Sequence, residues 1–152
     1  MDLGVLLFLA LLAAAVYAVT RAVPRSGNRP AAGAIDGPGL FECEIVGEAS
    51  YQRALNAICG GKCQEGHQLE KLAILILEDD NLHDAKAVRV DVDGRTVGYL
   101  SRRLARGYRA RLKAQSLPVG NYTCQALIVG GWDRGGGDTG HFGVKLDLPI
   151  EE

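Results

Sequence analysis

The chain lacks the signatures on which an enzyme assignment would rest. It has no Ser-His-Asp or Cys-His arrangement with a supporting motif, and neither a Walker nor a helicase motif. It also lacks a net charge of any size: 17 Lys and Arg against 18 Asp and Glu leave −1. That balance excludes a uniformly basic nucleic-acid coat, so any such binding must rest on a local patch. No internal repeat is visible. No Lys or Arg stands before the first apolar run, where a secretory signal would carry one.

That run, Leu3 to Thr20, is 18 residues without a charge. As a helix it would extend roughly 27 Å, just enough for a bilayer core. Arg21, Arg25 and Arg29 follow, with no acid until Asp36. The positive-inside rule then leaves the C-terminal side in the cytoplasm. Residues 1–20 therefore read as a single-pass cell-membrane anchor. A cleaved signal ending at Val16-Tyr17-Ala18 and a buried core helix are the alternatives. Residues 21–38 hold three of the five prolines with several Gly, Ala and Ser, and read as a linker. Residues 39–150 are left as one folded domain, since the length suits one and not comfortably two. Cys43, Cys59, Cys63 and Cys124 would suit two disulfides in an exported domain. On the cytoplasmic side they are free thiols or a metal site.

Within the domain, Leu40 to Val46 alternates apolar and polar side chains as a half-buried strand does. Ser50 is placed to cap a short helix through Tyr51, Ala54, Leu55 and Ile58, stopped by Gly60-Gly61. Lys71 to Leu77 reads as a central strand, and Ala87 to Val92 alternates again. Asp93-Gly94 is a hairpin turn into Thr96 to Tyr99. Ser101 can cap a second helix reaching about Ala114, with Leu104, Tyr108 and Leu112 as its buried stripe. Tyr122 to Val129 and Phe142 to Leu148 are the last strands, separated by a glycine-rich loop. Short strands with two short helices predict a mainly β fold, a small sheet closing into a barrel.

Several groups could carry chemistry. Glu78 to Asp84 is a polar connection in which Asn and Asp side chains build the turn. It could also hold His83 and Asp84 outward, one stacking on a base or sugar and the other accepting a hydroxyl hydrogen bond. Arg102, Arg106, Arg109 and Lys113 share one helix face with no acid among them. That is either a solvated face or a site for phosphates or anionic headgroups. Cys59, Cys63 and His67 are three soft ligands spaced by four. They could hold zinc with a fourth ligand such as Glu65, be free thiols in a loop, or form a disulfide. Asp133, Asp138 and His141 flank the glycine loop, a mobile hairpin or a metal or phosphate site. Trp132 and Phe142 are either core rings or extra stacking surface.

Three blocks carry a resemblance. Gly47, Glu48, Tyr51 and Gln52 form the first. Asn81, Asp84, Ala87 and Val88 form the second, and Val97, Gly98, Tyr99, Leu100 and Arg102 the third. In this order and spacing, from about Leu40 to Leu148, the chain resembles the HIRAN domain. Ser50 stands where that family usually has a stacking aromatic, and His83 where it has Tyr or Phe. Leu82 stands in place of a Pro and Lys86 in place of an Asn. The resemblance implies an OB-like barrel that binds single-stranded DNA at its 3′ end. Tyr51, His83 and Phe142 would stack, with Tyr99 lining the same pocket beside position 50. Asn81 and Asp84 would hydrogen-bond the terminal nucleotide, and Arg102 and Arg106 would hold phosphates. HIRAN domains often occur fused to ATP-driven remodelling domains, so a protein partner could supply an ATPase. A membrane-tethered protein-interaction or scaffold module that keeps the barrel without DNA binding is the alternative. The fold needs no cofactor, zinc being the one candidate.

Overall fold

The computed structural model describes residues 30–149. The anchor expected at Leu3 to Thr20 lies outside them. Among the described residues no helix is long and apolar enough to cross a membrane. In chain order the elements are β1 (Ala31–Ala34), β2 (Cys43–Val46), a 3-10 turn (Glu48–Tyr51) and α1 (Gln52–Cys59). They continue with β3 (His67–Glu78), β4 (Ala87–Val92), β5 (Arg95–Leu100), α2 (Arg102–Ala114), β6 (Asn121–Gly130) and β7 (Phe142–Asp147).

The strand order β6-β3-β4-β5-β2-β7 returns to β6, because β7 pairs with β6 as well as with β2. Six strands thus close a barrel, and no edge of that ring is left unpaired. The expectation of a mainly β barrel with two short helices is borne out. Inside the ring the packing is aliphatic: Leu75, Val88, Val90, Val97, Ile128 and Leu146 are essentially inaccessible to solvent. Burying each such side chain is worth roughly 1.5–3 kcal/mol. Leu104, Tyr108 and Leu112 of α2 join this cluster as the helical period requires. Ser101 caps α2 as expected, its hydroxyl accepting a hydrogen bond from the Leu104 N–H at 3.3 Å.

Of the segment read as a linker, residues 21–29 lie outside the described residues, and a short part of the remainder is built into the sheet. Ala31–Ala34 forms β1, which runs parallel to Asn121–Thr123 of β6, while β7 takes the stretch of β6 from Gln125 onward. Asp147 then holds the incoming chain, accepting from the Gly39 N–H at 2.8 Å and the Leu40 N–H at 3.2 Å. Small residues make such a close parallel approach possible, and nothing in their hydropathy announced it. The first helix also differs from expectation. Ser50 lies within the 3-10 turn and caps nothing; Tyr51 occupies the N-cap position of α1 without a side-chain bond. The stop is as read, with Gly60 left-handed at φ 77°.

Candidate nucleic-acid interface

The outer face of the barrel carries a lateral row fixed by register. Val46 of β2 stands beside Tyr99 of β5, Tyr99 beside Arg89 of β4, and Arg89 beside Ile76 of β3. This row depends on Gly98. A Cβ there would lie 2.7 Å from the Val46 carbonyl oxygen, so only glycine lets β5 approach β2 this closely. The 3-10 turn then brings Tyr51 over the row, with its ring 6.4 Å from that of Tyr99 and tilted by 48°. Both tyrosines are half-buried. Burial, the Glu78 carboxylate and the Tyr51 phenol push the Tyr99 hydroxyl up to about 12. It stays protonated, a neutral donor, at any physiological pH.

From Arg89 a chain of polar contacts runs to α2. Arg89 donates to Glu78 Oε1 at 2.6 Å and to Asp91 Oδ1 at 3.0 Å, and Thr96 also donates to Asp91. Glu78 Oε2 accepts from Asn81 Nδ2 at 2.8 Å. Asn81 Oδ1 in turn accepts from the N–H groups of His83 and Asp84, at 2.9 and 3.2 Å. Asn81 therefore builds the turn, as Asx side chains do. Asp84 Oδ1 accepts from the Lys86 N–H at 2.9 Å. Its other oxygen lies 3.6 Å from Arg106 Nη1 and 3.8 Å from Arg102 Nε. The Lys86 N–H, followed by Arg106 and Arg102, lowers the Asp84 carboxyl below its ordinary range.

Tyr51, Tyr99, Asn81, Asp84, Arg102 and Arg106 are thus linked into one surface. Ser50 is exposed on the 3-10 turn next to Tyr51, and His83 is exposed at the tip of the β3–β4 loop beside Leu82, itself 99% exposed. Phe142 does not belong to this surface, and its expected stacking role is corrected. It is only 3% exposed, in the core, with its ring 5.6 Å from that of His67. Gln52, from the first block, explains the placement. Its amide accepts from the Phe142 N–H and donates to the Phe142 carbonyl, both at 2.9 Å, and donates to the Glu48 carbonyl at 3.1 Å. The Gln of that block fastens the turn to β7, so its role is structural.

Reading the sequence missed Glu78 and Arg89 as members of the site. The signal for Arg89 was available: a cation between Val88 and Val90, two residues from an acid, Asp91, in a strand whose other side chains are apolar. Nor did it foresee that the acids of the β3–β4 loop lie along α2. Arg109 is consumed there, donating to Asp79 Oδ1 at 2.6 Å and to the Lys86 and Ala87 carbonyls, each at 2.9 Å.

Two of the three proposed soft ligands are otherwise engaged. His67 Nε2 meets the Gly61 carbonyl at 2.9 Å and Cys63 Sγ bonds the Gly66 carbonyl at 3.1 Å. Among the described residues no three His, Cys, Asp or Glu side chains come together as a metal would need. No disulfide joins the described cysteines. The glycine loop, read as a mobile hairpin, is a built structure. Trp132 Nε1 donates to Asp138 at 3.1 Å, the Arg134 guanidinium lies 5.6 Å above the indole, and Cys63 pairs with Trp132. No protein-family model, no curated protein and no solved structure matches the chain, so the likeness to HIRAN domains rests on its three sequence blocks.

Proposed function

We propose that this barrel is a HIRAN-like, non-enzymatic module that binds single-stranded DNA and reads its 3′ end. The supporting observation is the Tyr51–Tyr99 pair, with rings 6.4 Å apart, continuous through Glu78, Asn81 and Asp84 with the exposed cations of α2. A terminal nucleotide would stack on the half-buried tyrosines, at roughly 1–3 kcal/mol per base. Asp84, ionised and facing solvent on one side, would accept from a terminal 3′-hydroxyl. It would repel a phosphate at the same place, which makes the site selective for an end over an internal linkage. Arg102 and Arg106 would hold the phosphates that precede it. His83, exposed on the same loop, would add a second stacking face.

In this reading the N-terminal segment anchors the module in the cell membrane with the barrel on the cytoplasmic side, and a partner supplies any ATPase. The test is a titration of labelled oligonucleotides ending in a free 3′-hydroxyl or a 3′-phosphate. The hydroxyl end should bind about tenfold more tightly. Equal, weak binding of both would sink end reading. One observation favours the alternative of a protein-interaction module: Asp84 and Asp79 already stand against the α2 cations. Oligonucleotide affinity without salt dependence would decide for that alternative.

A further inference from the structure

Beyond the tyrosine surface, the end of α2 and the β3–β4 loop enclose an open cleft of about 640 Å³. That volume falls within the roughly 300–1,000 Å³ of small-molecule sites. Its floor is apolar, formed by Leu77, Leu112 and Leu117, with Pro118 and Val119 at the lip. Val119 is 88% exposed, an apolar side chain held at the mouth instead of buried. The charged lining is three cations, Lys86, Arg109 and Lys113, against one acid, Asp79. Arg109 and Asp79 neutralise each other at 2.6 Å. Neither Lys86 nor Lys113 forms an ion pair among the described residues, although both line the cleft.

A helix C-terminus ordinarily repels an anion. Here the carbonyls of Leu112 and Lys113 are already used. The Leu117 N–H bonds the Leu112 carbonyl at 3.0 Å and the Ser116 N–H bonds the Lys113 carbonyl at 3.1 Å. Ser116 holds the left-handed position of this motif at φ 52°, where glycine is usual, so the lining gains a hydroxyl that glycine would not supply. The loop beyond is pinned by Tyr122, whose hydroxyl donates to the Pro118 carbonyl at 2.6 Å.

We propose that this cleft binds a small amphipathic anion: a carboxylate or phosphate carried on an apolar chain. The chain lies on Leu77, Leu112 and Leu117, and the charged head sits between Lys86 and Lys113, within reach of the Ser116 hydroxyl. An uncharged molecule of the same shape would forgo the attraction of both ammonium groups and bind more weakly, so charge sets the preference. The site is separate from the tyrosine surface and does not depend on the DNA-binding reading.

The probe is a diazirine-bearing decanoate, photolysed with the full chain and mapped by peptide mass spectrometry. Labelling is expected within Arg109–Val119 and at Lys86, displaced by decanoate and by decyl phosphate but about tenfold less well by decanol. The Lys86→Glu, Lys113→Glu double variant alters two exposed side chains and should reduce this labelling about tenfold, while Val119→Asp should reduce it less. Labelling confined to other parts of the chain, labelling unchanged in the double variant, or equal displacement by decanol would each overturn the proposal. Displacement by phosphatidylglycerol vesicles but not by decanoate below its aggregation threshold would also overturn it, because the ligand would then be a membrane surface.

Discussion

The two halves of α2 carry the same residue type and put it to opposite uses. At the C-terminal half, Arg109 is 16% exposed in its side chain and has each of its three nitrogens engaged, by one carboxylate and two backbone carbonyls. At the N-terminal half, Arg102 and Arg106 are 77% and 55% exposed and touch Asp84 only at 3.8 and 3.6 Å. A run of cations on one helix face thus has no single meaning. Its meaning is set by what the facing loop delivers: carbonyls close beside Arg109, and one shared carboxylate at arm's length from the other two. The half-buried member holds the β3–β4 loop to the barrel, and the exposed members remain available to a ligand.

That contrast breaks most visibly on removal of Arg109. Hydrogen bonds from a charged donor contribute about 1.5–3 kcal/mol each when partly buried, whereas the pair with the largely exposed Asp79 adds little. Arg109→Ala should therefore lower unfolding stability in urea by about 3 kcal/mol. A loss below about 0.5 kcal/mol would show that the β3–β4 loop holds its place without this residue. The double substitution Arg102→Ala, Arg106→Ala should do the reverse. Exposed pairs at these distances are worth little, so stability should move by less than about 0.5 kcal/mol. Oligonucleotide affinity should fall about tenfold, and the slope of log affinity against log salt should shrink by about 2. An unchanged salt slope would remove these arginines from the interface.

The same contrast explains how much of the molecule could be read in advance. Strand β4 and helix α2 followed from periodicity, because each has one apolar face that must be buried; the apolar run Lys71 to Leu77 located the middle of the longer β3, and the Asp93-Gly94 turn located β5. Val88, Val90 and Val97, or Leu104, Tyr108 and Leu112, announce their direction by spacing alone. β1 could not be read, since Ala31–Ala34 has no amphipathic pattern and is held by backbone pairing to β6. The site was partly legible. Tyr51, Tyr99, Asn81 and Asp84, named from turn chemistry and the sequence blocks, lie along one connected surface. Phe142 was misplaced because one aromatic at the start of a strand looks the same whether it faces the core or a ligand. Arg109 was misassigned for a related reason: helical spacing gives the direction of a side chain, and only tertiary structure supplies the loop that meets it.

The smallest effect expected concerns Asp84, where the two halves of the comparison share a partner loop. The Lys86 N–H, Arg106 and Arg102 hold its carboxyl below the ordinary value of 3.8. A carboxyl whose pKa is lower in the folded chain than in the unfolded one stabilises the fold above the unfolded value. That contribution fades as pH falls through the folded value, because the folded state must then take up a proton it resists. Asp84→Asn keeps an oxygen for the Lys86 N–H and removes only the charge. Wild type and variant should therefore differ by a small constant amount from neutral pH down to about 4 and converge below it. Urea unfolding followed from pH 7 to pH 2.5 measures this directly. A difference that persists undiminished at the acid end would mean that Asp84 acts through its shape and hydrogen bond, and that the arginines at the head of α2 owe their position to the helix alone.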